Sequence, residues 1–296
     1  MKWMILVLGC LTNAIAVAVQ GMSLSVLLPE ISNALSLNLV QAGLVWGIAA
    51  LPSMVSFIIA GKVIDRFGPK IVITTACILV GVFGALRGAA VNFGSLLVFV
   101  LFFGFFSAFI PLSNVKNIGL WFDDHELGLA NGVLSLGMAI GFFVGSMVSA
   151  SYISPWLGGW RYTFLFYGIA AFLFAIPWFF SQAPQTDASL TAPDRQTLWQ
   201  NVRHLSKIRN LWLLGMVLLT FNGAVQGFLG YVPLYLRNLG WAEVRADSLA
   251  ASFHLASMVF VIPLALLSDK LKSRKKLVVG AVILTALGIG SVFALP

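Results

Sequence analysis

Nine runs of apolar residues, each near the length of a bilayer crossing, constrain this chain more than any other feature. They cover 4–28, 40–61, 71–91, 94–115, 129–151, 162–181, 211–236, 248–268 and 277–295. Roughly 20 residues of helix, rising about 1.5 Å each, span the hydrocarbon core. Helices satisfy every backbone amide there without water. Eight of the nine runs hold no Asp, Glu, Lys or Arg, and the third holds only Arg87. The reading is therefore an all-α integral membrane protein. Composition agrees, since 9% of residues are charged against about 25% in soluble domains. The first run follows Lys2 and imitates a signal peptide, with Ala14-Ile15-Ala16 as a cleavage-like site. It is too long for one, and a second run follows at once.

A formal net charge of +8 would suit a nucleic-acid binder, but the basic residues stand in short loops and form no basic face. Their placement orients the chain instead. With the N-terminus inside, the cytoplasmic side takes Lys2, Lys62, Arg66, Lys70, Lys116, Arg195, Arg203, Lys207, Arg209, Lys270, Lys272, Arg274, Lys275 and Lys276, fourteen of the eighteen. Only Arg87, Arg161, Arg237 and Arg245 fall at or near the other face. This asymmetry predicts a multi-pass protein of the inner (plasma) membrane with a cytoplasmic N-terminus. Cys10 and Cys77 lie inside apolar runs, which implies neither a disulfide nor a metal site. No metal or cofactor is expected.

Between the second and third runs stand residues 61–70, reading G-K-V-I-D-R-F-G-P-K. They read as a very short loop. Gly61 and Gly68 allow close backbone packing and a tight reversal. Asp65 can pair with a helix N-terminus or a basic neighbour. Arg66 and Lys70 hold the loop to the cytoplasmic side. Gly61, Asp65, Arg66, Gly68 and Lys70 all match G-x-x-x-D-R-x-G-x-[KR], and in these positions the chain resembles the major facilitator superfamily. The resemblance implies a fold of two pseudo-repeated six-helix halves, nine of twelve helices being present. It also implies solute transport by alternating access, with the 61–70 segment acting in conformational gating.

Further stretches carry the same resemblance. Residues 121–132, from Trp121-Phe122 to Gly132, resemble the W-F-x-x-x-E-x-G-x-A-x-G loop of many facilitators, and Trp160-Arg161 with Phe164 resembles their W-R-x-x-F entry. His125 among Asp123, Asp124 and Glu126 reads as a solvated loop and not a metal site. Gly137, Gly141 and Gly145 recur every fourth residue and form a ridge for close helix packing. That ridge is similar to the antiporter motif G-x-x-x-G-P-x-x-G-G, but Phe142 replaces its proline and Ser146 its last glycine. The packing role is expected to survive; the argument for antiport does not. Val100 stands where many proton-coupled members carry an arginine.

The chain also repeats itself. Asp65-Arg66-Phe67 returns as Asp269-Lys270-Leu271, with Lys70 matched by Arg274, at an offset of 204. Ala18-Val19-Gln20-Gly21 returns as Ala224-Val225-Gln226-Gly227, at an offset of 206. Two matches at nearly one offset argue a duplicated unit. The expected division is a six-helix half over 1–181, a polar cytoplasmic linker over 182–210, and three helices of a second half over 211–296. The remaining three helices would lie past Pro296, in a truncated gene or a partial sequence.

Polar groups within a bilayer are costly and so are site candidates. Gln20 and Gln226 occupy equivalent places in the two halves, where the resemblance puts a central cavity. Asn222 lies one turn before Gln226 on the same face, and Asn13 shares a face with Gln20. For Asn13 and Gln20, bonding between helices stands level with lining a cavity on position alone. His254 is the one group within a span that titrates near neutral pH; it is expected to face Ser252 or Ser257. Arg87 either serves the cavity or snorkels to the outer interface. No carboxylate falls within a span: Asp65 and Asp269 sit at cytoplasmic ends and Glu30 at an outer end. Exporters of cationic drugs generally need a buried acid. Arg87, His254 and Arg161 instead favour a small polar or anionic solute, moved by a symporter or uniporter, with proton coupling left open. The stretches 230–236 and 111–121 resemble the cyanate-permease-like anion porters. Nitrate/nitrite porters also fit an anion cavity, but their glycine-rich signature is not seen. The alternatives are a non-transporting sensor or decayed transporter, or a carrier of neutral metabolites or drugs. No nucleotide loop, nucleophile elbow or metal-ligand spacing supports an enzyme. The expected partners are the solute and the lipid bilayer, with no nucleic acid, and the expected state is a monomer.

Overall fold

The computed structural model describes residues 1–182, 206–271 and 274–292. Helices account for all of its regular structure, with no strand among the described residues. Rods α1 (Lys2–Ala34), α2 (Leu39–Phe67), α3 (Pro69–Ala89), α4 (Phe93–Trp121), α5 (Glu126–Leu157), α6 (Trp160–Phe180) and α7 (Arg209–Asn238) are each long and apolar enough to cross a membrane. Two more follow, α8 (Glu243–Leu271) and α9 (Arg274–Val292). The rods coincide with the nine apolar runs and extend past their ends. Much of the linker, 183–205, lies outside the described residues.

The reversals between rods follow from local chemistry. Asn38 accepts from the Gln41 amide at 2.8 Å while Gln41 Oε1 accepts from the Asn38 amide at 3.1 Å, a reciprocal cap that starts α2. Asn92 and Ser95 start α4 in the same way. Between α2 and α3 the only non-helical residue is Gly68, at φ +79°, and Pro69 opens the next helix. The expected loop over 61–70 is thus corrected: Gly61, Asp65 and Arg66 lie within α2, and Lys70 within α3. One left-handed glycine suffices because it alone separates the end of α2 at Phe67 from the start of α3 at Pro69.

Two compact units are present: one of Met1–Gln185 with Gly230–Ile262, the other of Thr186–Leu229 with Pro263–Pro296. The first holds the buried core. Its largest buried side chains include Trp178, Arg87 and Phe164, and Trp178 Nε1 donates to Thr12 Oγ1 at 2.8 Å. Small residues set its helix spacing. A Cβ on Gly137, Gly141 or Gly145 would fall within 3.0 Å of the backbone of Cys10, Ala14 or Val19, so the predicted ridge on α5 packs directly on α1. Opposite it, Asn13–Val19 of α1 is wound as a π-helix. A second contact, which the sequence did not announce, pairs Gly81 of α3 with Gly168 of α6; a Cβ on Gly81 would lie 2.8 Å from Gly168 O. Gly61 has nothing within 4 Å and plays no such part. The outward faces are apolar, with Phe57, Phe179 and Phe180 more than half exposed. Apolar surface of this extent is the kind that a membrane or another protein covers. In the second unit, the first part of α7 is similarly exposed, as at Trp212 and Met216.

Candidate functional site

Arg87 ends α3 in a single 3-10 turn, Arg87–Ala89, and its side chain is completely buried. Its guanidinium donates from Nη1 to Gln20 O at 3.1 Å, from Nη2 to Gln20 Oε1 at 2.9 Å and from Nε to Gly84 O at 3.3 Å. It lies over the rings of Phe103 on α4 and Phe164 on α6, at 4.0 and 4.5 Å. Gly84 makes the arrangement possible, because a Cβ there would occupy the place of Gln20 Oε1. The snorkelling alternative is thereby corrected. Arg87 is held by neutral oxygens and aromatic faces, and no acid bonds it among the described residues.

Gln20 itself has no exposed surface, and its Nε2 donates to Ala16 O at 3.2 Å. Of the two readings left open for it, bonding between helices is the one observed, and service to a solute would require the pair with Arg87 to open. Asn13 is likewise buried and accepts from Asn114 Nδ2 at 2.8 Å; the same amide reaches Gly9 O at 3.3 Å. Asn114 belongs to a polar stripe on α4 that sequence reasoning missed. Ser113 Oγ, Asn117 Oδ1 and Trp121 Nε1 are buried there with no partner. The signal was available, in Ser113 and Asn114 breaking the end of the apolar run and Asn117 following one turn later.

His254 is 5% exposed and packs against Phe142 at 5.2 Å and Phe253 at 5.6 Å, with its Nε2 buried and unpartnered. The Phe142 that replaces the motif's proline is thus what meets it. Of the serines expected to face His254, Ser252 bonds Leu249 O of its own helix. Asn222 and Gln226 lie in the second unit on exposed positions of α7, where Asn222 Nδ2 donates to Leu218 O at 2.9 Å.

At the loop joining α2 and α3, Asp65 forms an ion pair with Lys116 of α4. Lys2 pairs similarly with Glu126 at 2.6 Å. Arg66 lies over the Phe67 ring at 5.3 Å. The side chains of Asp269 and Arg274, the repeat of this cluster, lie outside those described.

The opposite end of the first unit holds a cluster that the sequence concealed. Asp247, in the second turn of α8, is fully buried; it accepts from Ser151 Oγ of α5 at 2.7 Å and from Arg237 Nη2 of α7 at 2.9 Å. Arg237 Nη1 also lies 3.7 Å from Glu243, and Glu30 of α1 accepts from Ser154 Oγ at 2.7 Å. Asp247 and Glu30 both fall just outside the apolar runs, but α8 and α1 continue past the ends of those runs and carry the two carboxylates into the fold. Beside the cluster is a cavity of about 580 Å³ lined by Ser32, Asn33 and Asn38 together with Leu234 and Asn238 of α7.

The sequence model of the Major Facilitator Superfamily matches residues 9–296. The chain belongs to the major facilitator superfamily. Among curated relatives, it is 26% identical over 317 residues to a probable sulfoacetate transporter, SauU, of Cupriavidus necator, covering all of this chain and 72% of that protein. It is 25% identical over 248 residues to the probable nitrate/nitrite transporter NarK2 of Mycobacterium tuberculosis, and 23% over 243 residues to a probable L-galactonate transporter of Escherichia coli. Those matches span 81% and 78% of this chain, but only 60% and 53% of the relatives. A bacterial homologue of the human lysosomal transporter Spinster, in an inward-facing and occupied conformation, superposes with a TM-score of 0.72 at 18% identity; 92% of this chain and 62% of that one are covered. A D-xylose-proton symporter gives 0.63 at 17% identity over 90% of this chain and 68% of its own. The fold is that of the major facilitator superfamily, and the proteins it resembles are transporters, not enzymes.

Proposed function

We propose that this protein is a secondary transporter of a small organic or inorganic anion, working by alternating access between halves over 1–181 and 211–296. The observation that carries the reading is Arg87, a guanidinium without exposed surface whose bonded partners are all neutral. A cation buried within a membrane bundle is costly to hold without a counter-charge. Two aromatic faces and three carbonyl-type acceptors offset that cost without cancelling the charge. A net positive charge in a low-dielectric interior is a receptor for an anion, and Gln20 is a neutral placeholder that an anion can displace. Sulfoacetate, nitrate, nitrite and L-galactonate, named for the relatives, share that charge. Gln226, Asn222, Asn13 and His254 remain our candidates for the polar contacts around the solute. The loop pair Asp65–Lys116, with Gly68 as its hinge, is proposed to act in gating at the cytoplasmic side, and the bias of basic residues supports that orientation in the inner membrane.

The test is uptake by the full-length protein in liposomes, with radiolabelled sulfoacetate, nitrate and L-galactonate set against neutral D-xylose. Uptake of an anion that Arg87→Gln cuts at least tenfold, and that Arg87→Lys partly restores, is the expected result. Uptake of the neutral sugar alone, or an Arg87→Gln variant as active as the parent on anions, would overturn the reading.

A further inference from the structure

One buried acid is left without a role by anion binding at Arg87. Asp247 has no exposed surface, lies in the second turn of α8, and bonds outward to a different helix on each oxygen: Oδ2 to Ser151 of α5, Oδ1 to Arg237 of α7. It therefore ties α5 to the adjoining ends of α7 and α8. Ser151 is placed for this by the π-helical segment Ser149–Ile153, the same segment that precedes Ser154 and its bond to Glu30. π-turns of this kind widen a helix and re-aim its side chains, and they concentrate at functional sites.

The charges around Asp247 do not balance. Arg237 on α7 serves both Asp247 and Glu243, one turn earlier on α8, and Glu30 on α1 adds a third carboxylate, which is held by the Ser154 hydroxyl and the Trp160 backbone amide and has no cation bonded to it among the described residues. Further along α8, His254 packs on Phe142 of α5; Arg245 is exposed. One guanidinium stands among three acids, of which Asp247 is buried, Glu30 half-buried and Glu243 exposed, and like charges sharing a site favour uptake of a proton by the one with least access to water. We propose that Asp247 is a proton-binding site of this transporter, and that its protonation releases the contact holding α5 to the adjoining ends of α7 and α8. The step is a simple proton transfer. Water delivers a proton to a carboxylate oxygen of Asp247, the carboxylate becomes a neutral carboxylic acid, and the ion pair with Arg237 is lost. One oxygen that had accepted a hydrogen bond now carries an O–H facing a donor. Loss of the proton restores both bonds and closes the contact. Solute movement would then be coupled to protons, so the inference rests on the transport reading while its test does not need the solute.

The test uses the full-length protein in lipid nanodiscs, with Cys10 and Cys77 replaced by alanine and spin labels on Asn33→Cys and Asn238→Cys, which line the neighbouring cavity but are not part of the contact. The distance distribution is measured by pulsed electron resonance without solute between about pH 8 and pH 5. The parent should move from a short to a longer distance as pH falls. Asp247→Asn, which mimics the protonated acid, should show the longer distance throughout, with no response to pH. Ser151→Ala, a gentler change that removes one bond, should respond at a higher pH than the parent. A parent distance that ignores pH, or an Asp247→Asn variant that responds as the parent does, would overturn the proposal. If the distances behave as expected while no anion is taken up by liposomes, the latch stands and the transport reading falls. Anion uptake with distances that ignore pH would do the reverse, sparing the transport reading and overturning the latch.

Discussion

Gln20→Glu separates a structural from a functional reading of the buried arginine, because it changes one atom and places a carboxylate on Arg87. Gln20 Oε1 already accepts from Arg87 Nη2 at 2.9 Å, so the acid inherits an ion pair without moving. Charges about 4 Å apart attract by about 4 kcal/mol at an effective dielectric constant near 20. Against this, the bond from Gln20 Nε2 to Ala16 O at 3.2 Å is lost, at a cost of about 1 kcal/mol. The variant should fold at least as stably as the parent. An incoming anion, however, would have to displace a covalently tethered carboxylate. If it forfeits most of the same ~4 kcal/mol, its affinity falls by roughly a thousandfold at ~1.4 kcal/mol per decade. Gln20→Leu behaves oppositely. It leaves Arg87 Nη2 buried and unpaired, which costs about 1–3 kcal/mol of stability, and it leaves the positive charge free for a solute. Thermal unfolding in detergent and equilibrium binding of radiolabelled anion, measured on both variants, check the two halves of the argument. The reasoning is refuted if Gln20→Glu binds the anion as tightly as the parent, or if Gln20→Leu loses affinity without losing stability.

Two other expectations follow from the same contacts. Gly141→Val puts a side chain where the Ala14 backbone stands, and overpacking of this kind should cost about 1–3 kcal/mol; an unchanged melting temperature would show that α1 and α5 part easily. Asp65→Asn removes an ion pair whose partners are exposed at the cytoplasmic surface we propose, so stability should change by under ~1 kcal/mol. Transport should fall all the same if the pair acts in gating, and normal turnover in this variant counts against that role.

The nine long helices among the described residues were legible because a bilayer filters sequence harshly: a run of about 20 apolar residues has few alternatives. The ridge of Gly137, Gly141 and Gly145 was legible for a related reason, since only a missing side chain lets two helix backbones approach as α1 and α5 do. Gly68 could be recognised as a reversal, although the helices run to within one residue of it. The site was another matter. Whether Arg87 snorkels or is buried depends on Gln20, Phe103 and Phe164, which lie on three other helices, and nothing in the local sequence at Arg87 states that they converge. Asp247 was hidden because a charged residue at the edge of an apolar run looks like the start of a loop. Only Arg237 from α7 and Ser151 from a π-wound turn of α5 turn that position into a buried ion pair. Hydropathy and motif spacing are properties of a single segment, so they settle which segments cross the membrane. Charge compensation is a property of several segments meeting in a low-dielectric interior, and that was decided by the tertiary structure alone.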